Sequence, residues 1–157
     1  MTHHGSASWR RLASLWLPVI VWMAIIFIGS SRPDVPVHSN GHIDFLLKKG
    51  AHVAEYAGLG FLLWRGFGGS LGRQLASPPH SAGGQPGEMS LLPFMLTLAA
   101  GSLYAVSDEA HQLFVLNRHG RLTDVALDVA AILLALMVVW LWERQLRSKS
   151  EGRRNND

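Results

Sequence analysis

"LLPFMLTLAAGSLYAVSDEAHQLF", residues 91 to 114, decides the fold. It begins with an uncharged, largely apolar run and ends on Asp108, Glu109, His111 and Gln112. An apolar stretch of about 20 residues is the length an α-helix needs to cross the hydrocarbon core of a bilayer. Whether the ionisable end is a surface feature or a site depends on where it sits relative to that bilayer.

The rest of the chain reads in the same way. Of 157 residues 48% are hydrophobic, six are Trp, and mean hydropathy is positive. Such a composition favours lipid as the solvent. Four apolar segments are expected as spans: Trp9 to Ser30, Phe45 to Phe67, Leu91 to Leu113, and Leu122 to Trp142. The expected fold class is therefore all-α, a small polytopic membrane protein built as a four-transmembrane-helix bundle. It forms one domain over residues 1–157, with a flexible Gly, Ser and Pro-rich connector at 68–89 and a basic tail at 143–157. Arg10 and Arg11 before an apolar run suggest a signal peptide, but Leu12 to Ile28 outruns the usual apolar core of roughly 7–15 residues, so a retained helix is expected. The absence of cysteine excludes disulfides, thiolate metal sites and cysteine nucleophiles.

Basic residues set the expected orientation. Arg10, Arg11, Arg65, Arg73, Arg144, Arg147, Lys149, Arg153 and Arg154 fall on one side of a four-span chain, against Arg32, Lys48, Lys49, Arg118 and Arg121 on the other. Nine against five places both termini in the cytoplasm. The basic tail suits anionic lipid headgroups better than nucleic acid, and membrane lipids are the expected partner.

Under this topology three polar helix ends meet at the outer side. Lys48, His52 and Glu55 share one stripe of the second helix, with Lys49 and Tyr56 beside it. Gly101, Tyr104, Asp108 and Gln112 form a stripe on the third, with Glu109 about 100° away. Arg121, Asp124 and Asp128 begin the fourth and continue into Ala131 and Ala135, small residues that admit a neighbouring helix. Intramembrane ionisable groups are costly and mark functional sites, yet the same groups can serve only as an ion-pair lattice that locks the helices. The mixture of acids, bases, imidazole, amide and phenol favours a site.

The segments "KKGAHVAEYAGLGFLL" (48–63) and "SDEAHQLFVLNRHGRLTDVALDVAAILLAL" (107–136) resemble the two signature regions of VanZ-like membrane proteins. The matched positions are Lys49, His52, Tyr56, Ser107, Asp108, Glu109, Gln112, Arg118 and Asp124. The resemblance implies a bacterial cytoplasmic membrane protein of the cell envelope, and its founding member is associated with resistance to the glycopeptide teicoplanin. Where the family has Pro-Gly before its arginine, this chain has Leu116 and Asn117, and Asn can still adopt the left-handed conformation. Asp128 stands where asparagine is common, and Ala131 replaces a frequent glycine.

The expected ligand-binding set is Lys49, His52, Glu55, Tyr56, Asp108, Glu109, Gln112, Arg118, Asp124 and Asp128. Two functions fit it. One is a non-enzymatic pocket for an envelope lipid, a cell-wall precursor or an amphiphilic antibiotic. The other is an intramembrane enzyme on a lipid-linked or cell-wall substrate, with His52 as acid or base and Asp108, Glu109 and Asp124 orienting groups or holding metal. No cofactor or metal is assigned. The donors of His52, Glu55, Asp108, Glu109 and Asp124 suit Zn or Mn, but no HExxH or other fixed ligand spacing appears. Ser107 lacks a G-x-S-x-G context and reads as a backbone hydrogen bonder. His111, on a different face from Asp108, reads as an interfacial residue.

Overall fold

A computed structural model describes residues 4–33, 40–75, 91–118 and 120–154. They form four helices: α1 (His4–Ser30), α2 (Gly41–Leu75), α3 (Leu91–Gln112) and α4 (Leu122–Arg154). α2 packs against each of the other three, so the core surrounds it. That core joins Val19 and Ile26 of α1, Tyr56, Leu59 and Leu63 of α2, Ala105 of α3, and Ala131, Ile132 and Leu136 of α4.

Cross-helix bonds fix the directions. On α1, Trp16 Nε1 donates to Ser70 Oγ (3.1 Å) and Trp22 Nε1 to the Glu55 carbonyl (2.8 Å), so α1 and α2 run antiparallel. Ser30 meets Asp108 where α1 and α3 both end, and Lys49 meets Asp124 where α2 and α4 both begin. The helices therefore alternate in direction, and one end of the bundle gathers two helix C-termini and two N-termini.

Local chemistry starts and stops these elements. The Asn40 side-chain oxygen caps α2 by accepting from the His42 amide (3.0 Å), and Asp44 in the first turn pairs with Lys48 at 2.7 Å. Asp124 occupies the first turn of α4, where a negative charge complements the helix dipole. Between α3 and α4 the chain reverses through Asn117, whose φ of 59° is left-handed. Gly120 follows, and a Cβ there would stand 2.4 Å from the Glu109 carbonyl oxygen. Farther along the bundle Gly60 lets α2 approach α4, since a Cβ would lie 3.2 Å from Ile132 Cα.

Large apolar side chains cover the outside. Leu17, Ile20, Leu103 and Val138 are each more than half exposed. In water this would be an aggregation surface, and in a bilayer it is the lipid contact. Three helical stretches are long and apolar enough to cross a membrane: Trp9–Ser30, Leu91–Gln112 and Leu122–Leu146. This is a multi-pass membrane protein in a lipid environment.

The segment Phe45 to Phe67, expected as a fourth span, is helical but does not reach that standard. The cause is its composition, because Lys48, Lys49, His52, Glu55 and Arg65 interrupt or border its apolar residues. The connector expected at 68–89 also changes. Residues 68–75 continue α2, with Ser70 held by Trp16, while 76–90 lie outside the described residues. The tail expected from residue 143 continues α4 as far as Arg154.

Candidate functional site

The end of the bundle where α2 and α4 begin holds most of the described acidic residues: Asp44, Glu55, Asp108, Glu109, Asp124 and Asp128. α3 supplies its centre, since Asp108 and Glu109 in one turn and Gln112 in the next are 2%, 5% and 4% exposed. Burial of two acids within one turn requires donors. Asp108 Oδ1 accepts from Ser30 Oγ at 2.5 Å, and its Oδ2 accepts from Gln112 Nε2 at 3.1 Å. Glu109 Oε1 accepts from the same Gln112 amide (3.3 Å), and Oε2 accepts from the Arg121 backbone N–H (2.9 Å).

Arg118 closes this lattice. Its Nη1 donates to Gln112 Oε1 (3.2 Å), its Nε to the Arg32 carbonyl (3.0 Å), and its Nη2 to the Gly29 carbonyl (3.4 Å). The left-handed turn at Asn117 is what brings the guanidinium back over the ends of α1 and α3. Gln112 thus links both acids to the cation, with one amide group donating to carboxylates and its oxygen accepting from arginine.

α2 and α4 supply a second group. Lys49 pairs with Asp124 across the two helix starts, and both side chains remain partly exposed. One turn deeper, His52 Nδ1 lies 3.4 Å from Asp128 Oδ1, and the Asp128 side chain is fully buried. Tyr56 follows on the same stripe, its ring parallel to His52 at 6.4 Å. His52 Nδ1, Tyr56 Oη and both Asp128 oxygens have no hydrogen-bond partner among the described residues. The lattice around Gln112 is therefore satisfied, while its neighbour one turn inward is not.

Of the expected residues, the structure links Asp108, Glu109, Gln112 and Arg118 to one another, Lys49 to Asp124, and His52 to Asp128 and Tyr56. Glu55 stands at the α1 side, its carboxylate 3.8 Å from where a Cβ on Gly29 would be. The helical angle separating Glu109 from Asp108 does not exclude it, because α4 starts on the Glu109 side and offers the Arg121 amide. Ser107 is exposed and donates to the Tyr104 carbonyl at 2.7 Å. His111 Nε2 lies 3.1 Å from Ser31 Oγ, and its ring packs on Phe27 at 4.6 Å.

Sequence reasoning missed Ser30 and the Arg121 amide. Ser30 ends an apolar run, where small residues equally mark a processing site or a helix end. Its burial at 4% beside an acid is a tertiary fact.

The fold and the polar cluster together define a small multi-pass helical membrane protein with ionisable groups gathered at one end of its bundle. The VanZ/LLP1 family profile matches residues 15–143, and the chain belongs to that family. No curated protein and no solved structure matches it.

Proposed function

We propose that the chain is a four-span protein of the bacterial plasma membrane, with both termini cytoplasmic, whose outer polar cluster binds a cell-envelope component such as a lipid-linked cell-wall precursor. α2 is taken as the fourth span, because α1 and α3 run parallel and a chain that crosses twice in one direction must return between them. Enclosure by three apolar helices also offsets the polarity of α2. The basic asymmetry sets the polar end outside. Since the chain has no cysteine, single replacements report the topology cleanly. A membrane-impermeant thiol reagent added to intact cells should label Asn40→Cys and spare Ser148→Cys. The opposite pattern would put the cluster on the cytoplasmic side.

The observation that carries the binding role is the set of buried groups with unused hydrogen-bonding capacity, His52, Tyr56 and Asp128, beside a lattice that is otherwise satisfied. A structural lock has no need of such groups, whereas a ligand can complete them. Glycopeptide susceptibility, teicoplanin first, is the trait this role would alter. Asp108→Asn should abolish that trait while detergent-stable protein persists, and His52→Ala should lose the trait well beyond its loss of folded protein. Equal losses of trait and folded protein would reduce the cluster to a structural lattice.

A second reading is an intramembrane enzyme in which His52 is the acid or base and Asp108, Glu109 and Asp124 orient the substrate. The 3.4 Å approach of His52 to Asp128 favours it, since a carboxylate behind an imidazole fixes its tautomer. Turnover of lipid-linked substrates by the purified protein separates this reading from binding alone.

A further inference from the structure

His52, Glu109 and Asp128 come from three different helices, α2, α3 and α4, and are separated by 76 positions from first to last. Each offers one donor atom, and the three atoms lie within 4.8 Å of one another. We infer that these residues form a site for a divalent transition-metal ion of the Zn2+ or Mn2+ class.

Geometry supports the assignment. A tetrahedron with metal–ligand bonds of about 2.1 Å has edges of about 3.4 Å. His52 Nδ1 and Asp128 Oδ1 stand at 3.4 Å, which is such an edge. The three donor atoms lie within 4.8 Å of one another, so the most distant pair would close by at most about 1.4 Å to reach such an edge. Small side-chain rotations supply that.

Burial gives an independent indication. Asp128 is fully buried, and neither of its oxygens has a hydrogen-bond partner among the described residues. His52 Nδ1 is in the same condition. An imidazolium on His52, 3.4 Å away and without hydrogen-bond geometry, offsets the cost of an ionised Asp128 only in part. A dication between two carboxylates and a neutral imidazole leaves the group with no net charge. Glu109 is already aimed by the Gln112 amide and the Arg121 N–H, which is how outer hydrogen bonds hold a ligating carboxylate.

Donor chemistry selects the metal. Ca2+ and Mg2+ take oxygen ligands and gain little from imidazole, whereas one nitrogen and two carboxylate oxygens suit Zn2+ and Mn2+. Three protein ligands leave Zn2+ a fourth position for water or an incoming group, the pattern of reactive rather than closed sites. The local spacings show nothing of this, because no two of the ligands share a helix.

The site takes His52 and Asp128, two of the groups on which the binding role above rests, and so deepens that reading; metal binding is measured without the larger ligand, so the failure of one is told apart from the failure of the other. Purified full-length protein in detergent, stripped with a chelator and dialysed, would be titrated with Mn2+ by the loss of the free-ion paramagnetic resonance signal. Zn2+ would be titrated by competition with a chromogenic chelator. One saturable ion per chain is expected. Glu109→Gln and Asp128→Asn should each weaken it at least about tenfold. Glu143→Gln should not change it, since that carboxylate lies about 22 Å along α4 from Asp128 at 1.5 Å per residue. Should the ligand variants fail to fold, His52→Cys decides the matter. In a chain without other cysteines it should bind Cd2+ with a sulfur-to-metal charge-transfer band. The absence of saturable binding, binding indifferent to Glu109 and Asp128, or a folded His52→Cys protein without that band would each overturn the site and leave an imidazolium–carboxylate pair.

Discussion

Asn117 holds a backbone conformation that costs most residues about 1–2 kcal/mol, and the return of Arg118 over the helix ends depends on it. Asn117→Gly should therefore preserve or slightly raise stability, and Asn117→Val should lower it by about 1–2 kcal/mol, read as the midpoint of thermal unfolding in detergent. Gly120→Ala should cost more, because its methyl would collide with the Glu109 carbonyl and push the Arg121 amide off the Glu109 carboxylate. A wild-type unfolding midpoint in Gly120→Ala would show that this reversal can relax. The turn was legible in the sequence through the family resemblance, whose pattern sets Asn117 in a glycine position, and asparagine is among the few residues that adopt the left-handed conformation. The partner of Asp108 was not, because Ser30 lies 78 positions away and carries no spacing that distinguishes it from any serine at a helix end.

Helices were legible wherever lipid dictates composition, and least legible in α2, which faces other helices on several sides. Runs of apolar residues located α1, α3 and α4 to within a few residues at their lipid-crossing parts. α2 instead mixes charges with small residues, and its last eight positions read as connector because glycine and serine usually mark flexible chain. Packing against α1 reverses that meaning, as the Trp16 bond to Ser70 illustrates. Each Lys or Arg at a span centre costs about 2.5–3.5 kcal/mol on insertion scales, and less near the ends. α2 alone should then insert poorly in a glycosylation-mapped translocon reporter, and insert well in the full chain. Efficient insertion of isolated α2 would mean that its neighbours are not needed to shelter it.

The whole molecule divides into an apolar body and a polar end, and stability and function make opposite demands on that end. Removing one partner of a buried pair leaves an uncompensated charge, so His52→Leu in metal-free protein should cost about 3–5 kcal/mol. Replacing both, as in His52→Leu with Asp128→Leu, should recover that loss or exceed the wild type, because apolar packing often outperforms a buried ion pair. Denaturant unfolding of the two variants side by side tests it. A double variant as unstable as the single one would mean that the pair is a keystone of the packing. Which stripes carried the polar residues was evident from helical periodicity. Which residue met which was not, since that depends on how the four axes are rotated against one another.

The pairing of Lys49 with Asp124 joins positions 75 residues apart. At a synthesis rate of roughly 5–20 residues per second, the ribosome needs about 4–15 s to reach the acid after it has made the lysine. During that interval α2 emerges with its ammonium, its imidazole and Glu55 before any of α4 exists. Nascent chains halted before Asp124 should accordingly expose α2 to insertion factors and membrane proteases, and chains a few dozen residues longer should be protected. For this bundle, birth order makes the second helix a passenger awaiting the fourth.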